Sequence, residues 1–368
     1  MSSTTFSGLG SDARPATPAQ ATMVWTAAGL AMLSIRFAQG FIYWGGGTRR
    51  FIYAPGKLDA WAGHSWMANK FQTAMPGALL GTDKLVAFLL HHFWLLYPSV
   101  IIFSAVELFA GLFLMIGLFT RAAGAVSIGL SFVLMLLFGW QGATCIDEWT
   151  MAAANFGMGI TLFLAGGSAY SVDNVLLRRH PGLADKAWFR WTAGSLPLPM
   201  KDLSFKTLAL ILFWIGVAFS VLTYNHYRGS VITPFHSGPV SASTHQWGLS
   251  QGTIGADGKV TFHAYVNAGT PAEPSNMVEA SLLDSTGAVV EHWDGAALAK
   301  LPKTAIRNDF DYQRFHTGKF GIVGPVGAMA TIELPAGAGG ASLPAGRYTL
   351  KLVSVNNHIW SLPLSLGQ

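Results

Sequence analysis

Five long apolar stretches alternate with polar segments and predict membrane-spanning helices at residues 23–44, 98–119, 122–140, 149–165 and 208–224. A helix needs about 20 predominantly apolar residues to cross a bilayer, and each stretch is close to that length. We expect a four-helix transmembrane core within residues 22–171 and a fifth transmembrane helix within 207–224. The apolar stretch 85–97 is too short to span, so it predicts an interfacial helix or a lead-in to the second span, where Pro98 fits the first helical turn.

The polar segments divide the rest of the chain. Residues 1–21 are rich in Ser, Thr, Ala, Gly and Pro and predict a disordered tail. Residues 172–206 are polar and basic and predict a loop. From residue 225 to residue 368, short alternating runs and turns such as Asp257-Gly258 predict an Ig-like β-sandwich. The fold class is therefore a mainly α membrane protein with a C-terminal β-sandwich domain.

Loop charge predicts the orientation. The 172–206 loop is the densest in lysine and arginine, which favours the cytoplasmic side of an inner membrane. The turn before residue 149, the polar segment 48–83 and the C-terminal domain would then face the periplasm. Five cations near that segment oppose this orientation unless they serve an anionic substrate: Arg49, Arg50, Lys57, Lys70 and Lys84.

Composition excludes several classes of function. The chain is 51% hydrophobic and only 11% charged, with a mean hydropathy of +0.40, which indicates an integral membrane protein in contact with the lipid bilayer. The net charge of +5 lies on loops. The sequence has no basic run interleaved with aromatic residues, which a nucleic-acid-binding groove would need. A single cysteine excludes an intrachain disulfide, CxxC zinc sites and cysteine-ligated iron–sulfur clusters. We expect no metal, flavin or haem.

The turn between the third and fourth apolar stretches carries the candidate catalytic chemistry. It holds Cys145, followed by Asp147 and Glu148, between Trp140 and Trp149. Cys145 could be a reactive thiol or a small buried apolar residue. Arg49 or Arg50 would lower its pKa, whereas the two acids would oppose that effect. The acids could instead only complement the dipole at a helix N-terminus.

Two charges lie inside predicted spans, where each is energetically costly. Arg36 and Glu107 could form a structural ion pair that fixes the helix register. Alternatively, Arg36 binds an anion, and Glu107 holds it or handles a proton. Asn155, inside the fourth span, is a further candidate for substrate binding.

Aromatic and histidine side chains cluster near the predicted membrane boundaries. They could line a pocket for the flat ring of a membrane-dissolved cofactor, with a histidine relaying protons, or form an aromatic belt at the interface. Two adjacent histidines point to different faces of a helix, which disfavours a shared metal. The candidates are His91, His92, Trp94, Trp140 and Trp149. In the C-terminal domain, His245, Trp247, Arg307 and Asn308 are candidates for a lid.

Several motifs resemble the DoxD/DoxX membrane family: Arg36-Phe with Arg49-Arg50-Phe51, Glu107-Leu-Phe-Ala-Gly111, Gly117-Leu-Phe-Thr-Arg121, and Cys145-Ile-Asp-Glu-Trp149. The C-terminal domain resembles DoxA through Glu291-His-Trp-Asp, Ile306-Arg-Asn308 and Gly346-Arg-Tyr348-Thr-Leu. The whole resembles a DoxD–DoxA fusion, the two parts of thiosulfate:quinone oxidoreductase.

The resemblance implies a membrane oxidoreductase that oxidises thiosulfate to tetrathionate and passes the electrons to a membrane quinone. Cys145, Glu107, Asp147 and Glu148 would then be catalytic. Arg36, Arg49, Arg50 and Asn155 would bind thiosulfate, and the histidines and tryptophans named above would bind quinone, which acts as co-substrate or bound cofactor. Alternatives are the oxidation of another sulfur species or thiol, and a non-catalytic membrane subunit whose β-domain binds a partner. Assembly into a homo-oligomer is left open.

Overall fold

The computed structural model describes residues 18–142, 148–232, 238–337 and 343–366. Residues 1–17 of the predicted tail therefore lie outside the described residues. Cys145 and Asp147 lie outside them as well. The chain forms two compact units. The first comprises Met1–Gly47, Val106–Ile128 and Gly157–Phe213, and the second comprises Thr48–Ala105, Gly129–Phe156 and Trp214–Gln368.

Long helices dominate the N-terminal part of the chain. In the described residues the α-helices are α1 (Pro18–Thr48), α2 (Met67–Ala74), α3 (Thr82–His91), α4 (Phe93–Ile116), α5 (Thr120–Phe138), α6 (Glu148–Ala165), α7 (Val172–Arg179), α8 (Ala187–Thr192), α9 (Asp202–Arg228) and α10 (Gly295–Ala299). By length and composition, α4, α5 and α9 can each cross a membrane. The N-terminal part is therefore confirmed as helical with three candidate membrane spans in the described residues, while the count of five spans stays a prediction.

Small residues let α1 and α4 approach closely within the first unit. A side chain at Gly40 would place its Cβ 2.7 Å from the Gly111 carbonyl oxygen, and one at Gly111 would overlap the backbone of Trp44. Helices in lipid associate through such small residues because close packing replaces the hydrophobic driving force. Gly40 and Gly111 therefore set the spacing of these two helices.

The predicted basic loop 172–206 is folded, which corrects the sequence interpretation. It contains α7, a 3₁₀ turn at Pro181–Asp185, and α8. Ser171 caps α7 by accepting a hydrogen bond from the Asn174 amide at 3.2 Å. The Asp173 carboxylate is fully buried and accepts hydrogen bonds from the amides of Phe119, Thr120 and Gly194. Asp173 thereby joins this segment to the start of α5.

The polar segment before α4 is also folded rather than a loop. It consists of a π-helical turn at Arg49–Tyr53, 3₁₀ turns at Pro55–Lys57, Gly63–Ser65 and Met75–Gly77, and the helices α2 and α3. We call residues 49–92 the cap. Its apolar residues share one core with the ends of α4 and α5 and with the β-domain, through Leu58, Trp66, Met67, Val86, Leu96, Phe138 and Phe310.

Pro98 is the sixth residue of α4 and not its first-turn residue. The predicted lead-in is split between α3 and the first turn of α4, with His92 between the two helices. Because proline lacks an N–H group, it cannot donate to the Trp94 carbonyl in the usual i to i−4 pattern. The helix nevertheless continues through Pro98 to Ile116.

The C-terminal part is an all-β domain of two antiparallel sheets. Its strands are β1 (Gln246–Ile254), β2 (Val260–Ala268), β3 (Ser275–Leu283), β4 (Val289–Trp293), β5 (Ile306–Asn308), β6 (His316–Gly318), β7 (Gly321–Gly324), β8 (Met329–Leu334), β9 (Gly346–Ser354) and β10 (Ile359–Leu366). One sheet has the order β1-β2-β8-β5, and the other has the order β10-β9-β3-β7-β6 with β4 paired to β3. This confirms that the C-terminal part is an all-β domain of two sheets, while the Ig-like sandwich stays a prediction.

Alternation of buried and half-buried residues along a strand shows which face of each sheet lies in the core between the sheets. Along β2 every second residue from Val260 to Ala268 is buried, as expected for a strand with one face in a core. The Trp247 ring of β1 stacks on the Trp360 ring of β10 at 6.0 Å between centroids. The Trp247 indole also donates to the Ser275 hydroxyl at 3.0 Å. Trp247 is therefore a core residue that ties the two sheets, and not a lid residue.

A basic pocket as the candidate functional site

The second unit contains a pocket of about 720 Å³ whose wall combines the cap, the ends of α5 and α6, and two loops of the β-domain. We call it the basic pocket. Its lining residues are Arg49, Ala54, Gly56, Lys57, His64, Ser65, Trp66, Met67, Asn69, Lys70, Thr73, Gln141, Gly142, Glu148, Thr270, Pro271, Ala272 and Gln313.

Positive charge predominates in this lining. Arg49, Lys57 and Lys70 contribute cations, and Glu148 is the one acid among the described lining residues. The Lys70 ammonium lies 3.5 Å from a Glu148 carboxylate oxygen and 5.1 Å from the centre of the Phe138 ring. A partly exposed pair of this kind contributes little to stability, about 0–1 kcal/mol. Lys70 therefore stays available to an anion in the pocket.

Neutral polar side chains also line the pocket. Trp66 and Asn69 are almost fully buried, and the Asn69 amide donates to the carbonyls of Gly63 and Trp66 at 2.8 and 3.1 Å. Gln141 donates to the Thr73 carbonyl at 2.8 Å. These bonds hold the side chains in fixed orientations, so this side of the pocket is rigid. The buried indole N–H of Trp66 finds no acceptor among the described residues.

The predicted catalytic turn contributes described residues to this pocket. Gln141, Gly142 and Glu148 line it, and Glu148 begins α6. Cys145 and Asp147 lie outside the described residues, so their catalytic assignment stays a prediction. Of the predicted catalytic and substrate residues, the basic pocket brings Arg49 and Glu148 together.

Arg36 occupies a different environment, in the first unit. Its guanidinium donates to the carbonyls of Leu114, Met115, Gly167 and Tyr170 at 3.1, 3.1, 3.1 and 2.6 Å, and the residue is 2% exposed. Glu107 packs beside Gly46, ten residues further along α1, or roughly 15 Å along a helix axis. The predicted Arg36–Glu107 ion pair is therefore wrong, because the Arg36 donors are directed to helix and loop carbonyls. Substrate binding by Arg36 stays a prediction that these contacts do not support.

Two further predicted residues lie apart from the basic pocket lining. The Arg50 guanidinium lies over the Phe103 ring, 5.8 Å from its centre. Asn155 is buried within α6. Neither residue lines the basic pocket, so their role in substrate binding stays a prediction.

The five residues predicted to bind a flat ring do not share one environment. Trp140 is buried, with its indole donating to the Ala74 carbonyl at 2.9 Å and packed on Gly77. Trp149 donates to the Thr223 hydroxyl at 2.8 Å, and His91 packs on Phe310 with 4.6 Å between ring centres. A single ring pocket formed by Trp140, Trp149 and His91 is therefore not observed among the described residues. Trp140 is a core residue and not a membrane-interface anchor.

The remaining two ring candidates lie near the start of α4. The His92 ring lies 4.2 Å from the Phe88 ring and bonds the Phe88 carbonyl at 2.7 Å. Trp94 is 72% exposed. His91 and His92 thus have different partners, which agrees with their predicted direction to different faces. No cluster of three or more histidine, cysteine or carboxylate side chains suited to a metal occurs in the described part of the chain.

Nothing in the sequence pattern points to a site at Trp66, Asn69, Gln72, Gln141 or Gln313. Neutral amides and a single tryptophan within a polar segment carry no chemical signature, and Gln313 lies 241 positions from its partner Gln72. The available signal was the group of cations on the cap. It predicted an anionic substrate, and the structure places Arg49, Lys57 and Lys70 on one pocket while Arg50 and Lys84 do not line it.

The sequence matches two family models in order along the chain. The model for the TQO small subunit DoxD covers residues 31–200, and the model for the TQO small subunit DoxA covers residues 231–362. Among solved structures, Pseudomonas fluorescens alkylpurine DNA glycosylase AlkC, bound to DNA containing an abasic site analog, is 11% identical, with 97% of this chain and 100% of that chain covered and a TM-score of 0.20. A TM-score this low carries no argument about fold or function. The two family matches show that this chain belongs to the DoxD and DoxA families of thiosulfate:quinone oxidoreductase small subunits and joins both in one polypeptide.

Proposed function

We propose that this protein oxidises thiosulfate to tetrathionate and passes the electrons to a membrane quinone, and that thiosulfate binds in the basic pocket. The observation that carries the proposal is the meeting of Arg49, Lys57 and Lys70 around one pocket, in a chain whose two parts both match thiosulfate:quinone oxidoreductase families. The proposed location is the inner membrane, with the pocket and the β-domain on the periplasmic side.

The reaction explains the charge of the pocket. Two thiosulfate dianions and one quinone, with two protons, give one tetrathionate dianion and one quinol. Joining two dianions through their outer sulfur atoms brings like charges together, which is unfavourable unless cations offset the repulsion. Three cations around one pocket supply that offset, and the pocket is partly closed by protein, which strengthens their effect relative to bulk water.

The neutral and acidic residues have distinct proposed roles. Asn69 and Gln141 are held by backbone carbonyls and define a rigid wall for the sulfonate groups. Trp66 also lines the pocket, and its buried indole N–H has no acceptor among the described residues. Glu148, which lies 3.5 Å from the Lys70 ammonium, and His64 are the lining residues assigned to proton transfer. The dianion itself binds to the cations and not to Glu148, because two negative charges in contact repel.

Quinone would supply the electron-accepting chemistry, taking two electrons and two protons. A quinone reaches the protein from the bilayer, so its ring needs residues that are accessible on a membrane-facing surface. Trp94 at the start of the apolar helix α4, with His92 two residues before it, meets this requirement best among the five predicted residues. Trp140 meets it least because its indole is buried.

Turnover by the purified full chain tests the proposal. Protein in detergent or proteoliposomes is mixed with thiosulfate and a short-chain quinone, and tetrathionate and quinol are quantified together. We expect one tetrathionate for each quinol, with activity that falls as salt screens the pocket. Absence of both products would refute the activity and favour a non-catalytic subunit. Quinol formation with another sulfur compound or thiol, but not with thiosulfate, would favour the alternative substrate.

A further inference from the structure

Beyond the activity itself, the β-domain has a defined relation to the basic pocket. Thr270, Pro271 and Ala272, from the loop between β2 and β3, and Gln313, from the loop between β5 and β6, form part of the pocket lining. The cap and the α5–α6 end supply the rest. The pocket is therefore complete only when the DoxA-like domain is seated on the cap.

One side chain of the cap, Gln72, bonds two loops of the β-domain, the β5–β6 loop and the β7–β8 loop. The Gln72 amide nitrogen donates to the carbonyls of Gln313 and Gly327 at 2.8 and 2.9 Å, and its amide oxygen accepts from the Gln313 amide at 2.8 Å. Gln72 is fully buried on α2. Three hydrogen bonds from one buried amide fix both distance and direction, so Gln72 determines where Gln313 lies in the pocket wall.

The surroundings of Gln72 restrict movement of the β-domain. Gly327 has a φ of +85°, and a Cβ there would overlap the Gln72 carbonyl oxygen, so backbone packs directly on backbone. Phe310 is buried in the same apolar core as Trp66.

Burial raises the pKa of both Tyr265 and Tyr312. Asp83 adds to the rise at Tyr265 and Asp311 adds to it at Tyr312, so both phenols stay neutral at physiological pH.

We infer that the DoxA-like domain is a fixed wall of the anion site and that Gln72 is the positioning residue that sets the wall. The inference rests on the proposed function, since it assigns the domain a part in thiosulfate affinity. Gln72 does not line the pocket. It positions Gln313 directly by hydrogen bonds, and it positions Ala272 indirectly by holding the β-domain on the cap. The domain thus contributes to substrate selection and is more than a partner surface.

Protection of engineered cysteines from labelling tests whether the β-domain forms a wall of the anion site. In the full chain with Cys145→Ser, single cysteines are placed at Ala272 on the β-domain wall, at Ser65 on the cap wall and at Ser285 on the exposed β3–β4 turn. Labelling by a sulfonated maleimide is timed with and without thiosulfate and without quinone. We expect thiosulfate to slow labelling at Ala272→Cys and Ser65→Cys at least threefold and to leave Ser285→Cys unchanged.

The three cysteine positions distinguish failure of the wall assignment from failure of the proposed thiosulfate site. Protection at Ser65→Cys without protection at Ala272→Cys would overturn the wall and leave the proposed function standing. Protection at neither pocket position would show that thiosulfate does not bind there, and the proposed site would fail. Protection at all three positions would indicate a global effect and would overturn the wall assignment.

The positioning role of Gln72 is tested by Gln72→Met, which keeps a similar side-chain length but removes all three hydrogen bonds. In the Cys145→Ser background we expect Gln72→Met to remove the protection at Ala272→Cys. In the chain that keeps Cys145, we expect Gln72→Met to raise KM for thiosulfate at least tenfold, with kcat changed less than threefold. Gln39→Met is the matched control, since Gln39 is equally buried but donates to the Ser127 hydroxyl. Equal effects of the two substitutions, or a fall in kcat with KM unchanged, would overturn the assignment.

Discussion

At the scale of single residues, the cations of the basic pocket have the clearest chemical role. Lys57→Gln removes one charge from the lining, and we expect KM for thiosulfate to rise roughly tenfold or more, with kcat nearly unchanged. The reason is that a hydrogen bond to a charged group contributes about 1.5–3 kcal/mol, and about 1.4 kcal/mol corresponds to a factor of ten. Lys84→Gln makes the same chemical change outside the pocket lining and should leave KM unaltered. Equal KM values for the two variants would contradict the assignment.

Arg36 illustrates how a charged residue inside a helix can be structural. Arg36→Gln leaves most of four buried carbonyls without their donor, and each unsatisfied group costs about 1–3 kcal/mol. We expect a lower yield of monodisperse protein and a lower midpoint of thermal unfolding. Arg178→Gln, on an exposed face of α7, is the control and should change neither quantity. A normally folded Arg36→Gln protein without turnover would instead support substrate binding by Arg36.

The catalytic role of Cys145 can be tested without knowing where the side chain lies. On a covalent route, quinone oxidises the Cys145 thiolate and one thiosulfate to a Cys–S–S–SO₃ adduct. A second thiosulfate then attacks the sulfane sulfur and releases tetrathionate and the thiolate, as in thiol–disulfide exchange. We expect Cys145→Ser to abolish tetrathionate formation and the wild-type peptide to gain the mass of one thiosulfate. Substantial tetrathionate from the serine variant would refute the covalent route.

At the scale of secondary-structure elements, the contact between α2 and the β7–β8 loop leaves no room for an added methyl group. Gly327→Ala requires a left-handed φ of +85° from a residue with a side chain, and its Cβ would overlap the Gln72 carbonyl oxygen. We expect the β-domain to become susceptible to limited proteolysis at lower protease concentration and KM for thiosulfate to rise. Gly287→Ala, also at positive φ but with open space around it, controls for backbone strain alone. Similar proteolysis of the two variants would argue against the contact.

At the scale of the whole molecule, orientation is the property that loop charge predicts. A reporter fused after Tyr224 should be exposed outside the cytoplasm, and one fused after Arg179 should be inside, since arginine and lysine are retained on the cytoplasmic side. Paired fusions to a periplasm-active phosphatase and a cytoplasm-active fluorescent protein measure both positions. Phosphatase activity after Arg179, or fluorescence after Tyr224, would reverse the orientation.

The sequence by itself determined the class of the molecule. Long apolar runs predicted α4, α5 and α9, since hydropathy and length are local properties that a bilayer selects directly. Alternation predicted strands such as β2, because a half-buried strand has a period of two residues. The cations of the cap predicted an anionic substrate, and the order of the motifs resembled the families that match residues 31–200 and 231–362.

Only the tertiary structure decided how these pieces are used. It showed that residues 49–92 form a packed cap and that Trp140 lies in a core, because burial depends on what packs against a segment and not on its composition. It directed Arg36 to four carbonyls instead of Glu107, since those acceptors come from separate parts of the chain. It also joined Gln72 to Gln313 across 241 positions. Hydrogen bonds between neutral amides far apart in the chain leave no periodicity or motif, so they appear only when the folded molecule brings the partners together.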